Sequence, residues 1–350
     1  MFTTSLFTEP DSVVTSNLIH NRLNFKWNFS KVFYTRIEMR NRIYFGEQIK
    51  LIPDFGKLIS KDDGYINPTK VWIEKSSIVA LTNFDRALIN ATLEKFIITI
   101  GRQRVNWGMN TIWNPNDLFN AYNFLDFDYE ERPGVDAIRI QYFRNSYSSV
   151  ELAYKPSKEK DRAVGAILYK FNKWKYDFQI LGGVYYTDLV VGAGWAGNIK
   201  DAGFKGEVSY FKDKSDFNAG NENLTGSITF DYSLKHEWYV SAAALYLQNP
   251  ISTLSGTMNP ISQNLSVKSL MPNNFSIYTS ATKSFSPILS GSMSVIYSPE
   301  DNSTIIFPVL TYNVAKNFIF DFTAQSFFSD RSVAFKSLGN YIYLRLRMDF

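Results

Sequence analysis

The chain has 350 residues, a formal net charge of +4 and a mean hydropathy of −0.18, values that do not by themselves indicate a membrane protein. It contains no cysteine, which excludes disulfides, thiol catalysis and cysteine zinc sites. No apolar run of about 18 residues occurs, so a helical membrane span is excluded. The charges are dispersed rather than gathered in a basic tail, which argues against a nucleic-acid partner.

Taken in chain order, most segments alternate apolar and polar side chains with the period of two that belongs to a β-strand. In 19–29 and 33–45 the odd positions are mostly apolar, and the even positions carry arginine, lysine, asparagine and glutamate. Segment 96–106 begins apolar on both faces before arginines appear on one of them. The alternation returns in segments 174–186, 202–210, 224–234, 275–284 and 318–328.

The final segment, 341–350, shows the alternation most clearly. Its even positions are all apolar, namely Ile342, Leu344, Leu346, Met348 and Phe350. Its odd positions include arginine at 345 and 347 and aspartate at 349. A strand with lipid on one face and a water-filled lumen on the other has this pattern.

The predicted strands are joined alternately by short turns and by mostly longer links, of which the longest are 46–83, 108–133 and 249–273. This alternation is typical of a transmembrane antiparallel up-and-down β-barrel, an all-β fold with short periplasmic turns and long extracellular loops. We therefore expect residues 1–350 to form a single outer-membrane barrel domain.

Seventeen full strands are counted, and residues 2–8 supply one more, which makes the even number expected of bacterial barrels. Because no basic and apolar leader precedes it, this first strand is expected to be truncated. The prediction is therefore about eighteen strands. Sixteen is the alternative, in case two weak segments, 84–93 and 188–198, are not strands.

If the apolar positions face lipid, the opposite positions face the lumen, and they are rich in arginine. These lumen positions are Arg22, Arg36, Glu38, Arg40, Arg42, Arg86, Arg102, Arg104, Arg139, Arg345 and Arg347. The last strand of a closed barrel pairs with the first, so most of them fall on one wall. Such a wall selects anionic or dipolar solutes. Alternatively, the arginines pair with acids and only fill and stiffen the lumen.

The link 108–133 is mixed aromatic and polar, and it either folds inward as a constriction loop or packs on neighbouring loops outside. The candidate constriction residues are Trp113, Asn114, Asp117, Asp126, Asp128, Glu130 and Glu131. Its last four acids offer the oxygen ligands that Ca²⁺ takes, but they lack the glycine and the spacing of an EF-hand loop. No metal site and no cofactor are predicted.

Three motifs between residues 101 and 139 are distinctive: G-R-Q-R-V-N-W-G at 101–108, W-N-P-N-D-L-F-N at 113–120 and R-P-G-V-D-A at 132–137. Together they resemble a block of uncharacterised, porin-like outer-membrane β-barrels of Bacteroidota. The resemblance covers residues 15–145 in motif detail. It implies a barrel fold and the outer membrane of a Gram-negative cell, and it implies little about a substrate.

The sequence thus predicts a porin-like outer-membrane channel for small polar or anionic solutes. The alternative is a non-conducting barrel subunit of a larger export or assembly complex. Catalysis needs an activated nucleophile or a positioned base, and the two histidines, His20 and His236, supply neither, so no enzyme is predicted. Expected partners are outer-membrane lipid, other outer-membrane proteins or lipoproteins, and the barrel-assembly machinery, whose recognition signal Phe350 resembles.

Overall fold

The structure is a computed structural model that describes residues 1–9, 12–62, 64–121, 134–159, 161–215, 222–250, 266–330 and 336–349. The described residues form nineteen strands and two helices of five residues each. In chain order the elements are β1 (Phe2–Glu9), β2 (Ser12–Asn28), β3 (Phe33–Gly46), α1 (Glu47–Leu51), α2 (Phe55–Ile59), β4 (Lys70–Lys75), β5 (Ile78–Thr92), β6 (Phe96–Gln103), β7 (Val135–Asn145), β8 (Ser148–Lys155), β9 (Val164–Lys173), β10 (Tyr176–Tyr185), β11 (Asp188–Ile199), β12 (Ala202–Asp213), β13 (Glu222–Ser233), β14 (Trp238–Leu247), β15 (Phe275–Ser286), β16 (Leu289–Ser298), β17 (Ser303–Ala315), β18 (Phe318–Ser329) and β19 (Lys336–Met348).

All of these strands except β4 close into one antiparallel barrel of eighteen strands. Each pairs with the next barrel strand along the chain, and β1 closes the ring by pairing with both β2 and β19. Phe2 lies opposite Leu346 on one side and opposite Ile19 on the other. The predicted up-and-down barrel of eighteen strands is therefore confirmed. The two weak segments on which the sixteen-strand alternative depended correspond to β5 and β11.

The link predicted at 46–83 is shorter and more ordered than the sequence indicated. β5 already begins at Ile78. One edge of β5 pairs with two strands in turn, with β4 along residues 78–82 and with β6 along residues 87–92. The helices α1 and α2 cover this part of the wall with a small buried cluster of Ile49, Phe55, Val79 and Leu81. Among the described residues, no helix has the length and apolar character to cross a membrane.

Side-chain alternation sorts the barrel into an apolar outer face and a more polar inner face. In β13, Thr225 and Thr229 are fully buried, whereas the adjacent Phe230 is 44% exposed on the outer side. Ile167 and Ile180, near the middle of β9 and β10, are 50% and 54% exposed. A continuous apolar outer surface is costly in water but stable in hydrocarbon, so the two faces fit a barrel embedded in lipid.

Replacing Ile180 by arginine is expected to lower the free energy of unfolding of the lipid-embedded barrel by about 2–4 kcal/mol, because the charge would lie in hydrocarbon at mid-strand. The measurement is a denaturant titration of protein refolded into lipid vesicles. The matched control is Ser284→Arg in β15, an exposed inner-face position, which should change stability by less than about 1 kcal/mol. Equal destabilisation by the two arginines would contradict this assignment of the faces.

Candidate functional site

The chain leaves the wall after β6 and runs inside the barrel as an irregular stretch, residues 104–121, here called the inserted segment. Trp107 is fully buried, and its indole N–H donates a hydrogen bond to Oε1 of Glu151 on β8 at 2.5 Å. The backbone carbonyl of Trp107 accepts a hydrogen bond from the side-chain amide of Gln179 on β10 at 2.8 Å. Farther along, Trp113 packs edge-to-face on Tyr278 of β15, with ring centroids 6.3 Å apart. The inserted segment therefore spans the inner face from β8 to β15.

Two apolar clusters fasten the inserted segment to the wall. One gathers Trp107 and Phe119 with side chains of β7 to β12, and the other gathers Ile112 and Trp113 with side chains of β14 to β18. Aromatic side chains bury a large apolar area each, so these residues supply most of the attachment. The aromatic residues of this stretch are visible in the sequence, but the wall residues that they contact come from strands distant in the chain.

One buried carboxylate binds three backbone N–H groups of the inserted segment. Glu207 of β12 is 1% exposed and accepts hydrogen bonds from the backbone N–H groups of Met109, Asn110 (2.7 Å) and Asn116 (2.9 Å). An irregular segment has no ladder to satisfy its N–H groups, and a buried carboxylate needs several donors. Each therefore satisfies the other, and this role of Glu207 in holding the inserted segment is one that alternation did not predict.

Asn116 lies close against the wall. Its side-chain amide donates to the carbonyl of Ala193 at 2.9 Å and accepts the hydroxyl of Ser209 at 2.7 Å. It lies over Gly192 and Gly194 of β11, and a Cβ on Gly192 would come within 2.7 Å of Asn116 Oδ1. Only glycine leaves room for this close approach.

Substituting Gly192 by alanine is expected to displace Asn116 and to destabilise the inserted segment by about 1–3 kcal/mol, the usual cost of overpacking. Limited proteolysis of the folded barrel at residues 104–121 measures this loss as faster cleavage. Gly226→Ala in β13 is the control, because the nearest atom to its new Cβ is 3.8 Å away. If both variants resist cleavage as the parent does, Gly192 has no such role.

The seam of the barrel carries an excess of positive charge on its inner face. We call the eight cations on β2, β3, β5 and β19 the basic wall, and its members are Arg22, Lys26, Arg36, Arg40, Arg42, Arg86, Arg345 and Arg347. The register sets them close together, with Arg22 opposite Arg40 and Lys26 opposite Arg36. β1 lies between β19 and β2, so the wall is continuous across the seam.

Four carboxylates lie among these cations, half their number, and one of them, Asp349, lies 3.3 Å from Arg347 Nε. Glu38 is fully buried between the guanidinium groups of Arg22 and Arg36. Asp85 lies 3.6 Å from Arg40 Nε and 3.8 Å from Arg22 Nη2. On β18, Asp321 accepts from Arg345 at 2.8 Å. Ion pairing thus fixes the wall in place, as the space-filling interpretation expects, and still leaves the basic wall with net positive charge.

Asp85 is a second site residue that alternation did not predict. The pairing of β3 with β5 shifts by one residue between Glu38 and Met39, so Asp85 is the extra residue of a β-bulge. The bulge places the consecutive residues Asp85 and Arg86 both in buried positions, at 2% and 6% exposure. The adjacent opposite charges in N-F-D-R, which break the alternation, are the only signal in the sequence.

Exposure along the basic wall increases toward the short-turn end of the barrel. Arg36 is 47% exposed and Arg347 28%, whereas Arg40, nearer the long loops, is 5% exposed. The inserted segment, together with residues 267–271, which contribute to the same two apolar clusters, covers the other side of the barrel, from β7 to β18. The accessible inner surface among the described residues is therefore bordered by Arg36 and Arg347, with Arg22 and Arg345 beside them at 20%.

Three predicted lumen arginines lie elsewhere. Arg102 is opposite Asp136 in the register, on the same face as the outward Ile100, so its placement in the lumen is corrected. A charge at a strand end can lie on the outer face when loops rather than lipid cover it. Arg104 is exposed, with no ion pair to another described residue. Arg139 is inward but on the opposite wall, bound to Glu151 at 2.7 Å.

The predicted constriction residues divide between buried and undescribed positions. Trp113, Asn114 and Asp117 are 3%, 6% and 1% exposed, and Asp117 accepts the backbone N–H of Trp107 at 3.2 Å. A role for them in narrowing a pore stays a prediction. The remaining members of this set lie outside the described residues, as does the terminal aromatic residue; they are Asp126, Asp128, Glu130, Glu131 and Phe350.

The closed eighteen-strand barrel, with its apolar outside and charged inside, has the fold of solved outer-membrane β-barrels. The structure is similar to that of OccK5 (OpdH) from Pseudomonas aeruginosa, with a TM-score of 0.62, 9% identity and coverage of 100% of this chain and 97% of that chain. It is also similar to Pseudomonas aeruginosa OpdK with vanillate (0.60, 9%, 99% and 96%) and to Acinetobacter baumannii OccAB4 (0.58, 8%, 99% and 96%). At such identities the likeness shows a shared fold.

No protein-family model and no curated protein matches the sequence. The resemblance of residues 101–139 to barrels of Bacteroidota therefore stays a prediction. Within the described ranges, no group of three histidine, cysteine or carboxylate side chains is arranged to hold a metal ion.

Proposed function

We propose that the protein is an outer-membrane channel that admits small anionic solutes past the basic wall. The observation that carries the proposal is the imbalance of eight cations and four carboxylates on one side of the inner face. Fixed charges in a narrow space with low-dielectric walls raise the local concentration of ions of the opposite sign. The long loops then face the outside of the cell and the short turns face the periplasm.

The likeness to porin barrels supports the channel interpretation at the level of the fold. One of the similar structures is of OpdK with vanillate, an organic anion. For this chain, organic anions are proposed as the solute class because the exposed guanidinium groups of Arg36 and Arg347 offer planar paired donors that match a carboxylate.

Single-channel recording in planar lipid bilayers tests the proposal. We expect discrete conductance steps and, under a salt gradient, a reversal potential displaced toward that of the anion. A reconstituted, correctly folded barrel that gives no conductance, or that prefers cations, would overturn the proposal.

The alternative is a closed barrel that serves as a subunit of an export or assembly complex, with other outer-membrane proteins or lipoproteins as partners. One observation favours it: inner-face residues of the seam near the long loops, Thr3, Ser5 and Leu18, are only 2–5% exposed. Affinity purification from crosslinked outer membranes discriminates the two functions. A stoichiometric partner together with a non-conducting barrel supports the alternative.

A further inference from the structure

At the long-loop end, outside the lumen site, a cavity of about 180 Å³ lies between residues 61–67 and residues 155–162. The described residues that line it are mostly polar or charged by type, and two of these are acidic. The lining residues that bear on a ligand are Lys61, Asn67, Lys155, Ser157, Lys158 and Tyr186.

Both acids of the lining are already engaged in ion pairs, although Asp62 shares its guanidinium partner with Asp136. Asp62 receives two hydrogen bonds from the guanidinium group of Arg102, at 2.5 and 2.8 Å, and Glu159 is paired with Arg162 at 2.8 Å. Lys61 and Lys158 have no ion pair to any described residue, and Lys158 lies 5.9 Å from the ring centre of Tyr65. Among the described residues, the cavity therefore presents ammonium groups that have no carboxylate partner.

A buried charge centre holds one side of the cavity in shape. Arg102, whose side chain is 5% exposed, bonds Asp62, the carbonyl of Ile66 at 2.7 Å and Asp136 at 2.9 Å, and Asp136 accepts the N–H of Ile66 at 2.8 Å. A Cβ on Gly64 would meet Arg102 Nη2 at 2.1 Å, so the loop backbone lies directly on the guanidinium. A loop fixed in this way loses little freedom when a ligand binds.

We propose that this cavity is a binding site for a phosphate group, carried either by a sugar phosphate in solution or by the phosphorylated sugar headgroup of an outer-leaflet lipid. Ammonium groups are compact point charges that suit a tetrahedral phosphate, and the hydroxyl of Ser157 and the amide of Asn67 supply neutral donors for the sugar. This inference rests on the proposed function in one respect, namely that the long loops that form the cavity face the outside of the cell.

Isothermal titration of the detergent-solubilised barrel with glucose 6-phosphate, glucose and inorganic phosphate tests the site, and titration with lipid A vesicles forms a separate arm. We expect both phosphate compounds to bind and glucose not to bind. The variant K61Q/K158Q should weaken binding by roughly tenfold or more, because it removes charge-assisted bonds. Whichever of glucose 6-phosphate and lipid A binds more tightly identifies the source of the phosphate.

Two further variants separate the site from general effects. Lys316→Gln changes an exposed lysine in a turn at the other end of the barrel and should leave binding unchanged. Arg102→Gln should weaken binding although Arg102 does not line the cavity, since the loop loses its support. The proposed site would be overturned if none of the phosphate probes bound at millimolar concentration, or if glucose bound as tightly as glucose 6-phosphate. Undiminished phosphate binding by K61Q/K158Q would also overturn it. Conductance of the same preparations reports on the proposed channel independently.

Discussion

Neutralising Arg36 and Arg347 together is expected to lower the ratio of anion to cation permeability roughly two- to fivefold, because a unit charge about 4 Å from an ion's path contributes on the order of 1 kcal/mol even in water. These are the two most exposed arginines with an ion pair on the basic wall, at 47% and 28%. The variant R36Q/R347Q removes two of the eight cations and leaves the fully buried Glu38 paired with Arg22. The reversal potential under a salt gradient measures the change.

The control for this experiment retains charge at the same positions. R36K/R347K should keep the reversal potential near that of the parent, whereas organic anions should bind less well because lysine cannot form the paired contact of a guanidinium. An R36Q/R347Q channel with the parent's reversal potential would show that ions pass elsewhere. The basic wall would then be only a packed, stiffening charge network.

Replacing Glu207 by glutamine is expected to release the inserted segment and to raise the single-channel conductance severalfold. The carboxylate accepts hydrogen bonds from three backbone N–H groups, two at Oε1 and one at Oε2. The amide of glutamine would replace one of these two acceptor oxygens with an NH₂ donor. Loss of charge-assisted bonds together with an unsatisfied buried donor costs about 2–4 kcal/mol. That cost is comparable to the free energy that holds a local segment in place, so the state in which the inserted segment is detached becomes populated.

Glu222→Gln on the neighbouring strand β13 is the matched control. Glu222 pairs with Lys212 at the long-loop end and is 38% exposed, so the same chemical change there should leave conductance and cleavage of residues 104–121 close to the parent's. If E207Q gives the parent's conductance together with faster cleavage, the inserted segment does not restrict the pathway. Unchanged conductance with unchanged cleavage would show that Glu207 does not hold it.

The candidate site was predictable where it depends on alternation within one strand. Arg22, Arg36, Arg40 and Arg345 lie inward because each is next to at least one apolar residue that faces outward. The prediction was wrong for Arg102, because lipid no longer requires an apolar outer face where a strand extends beyond the lipid band. Asp85 was missed because a bulge interrupts the period of two, and the bulge is visible only in the pairing of β3 with β5.

The sequence by itself determined the number of strands, the two faces and the seam of charges, because a period of two between lipid and water is a local constraint on each strand. The tertiary structure alone decided what fills the lumen. The carboxylate that holds the inserted segment is 98 residues away from Met109, and the glycines that admit Asn116 are on another strand again. Contacts between distant segments depend on closure of the whole barrel, and no local pattern encodes them.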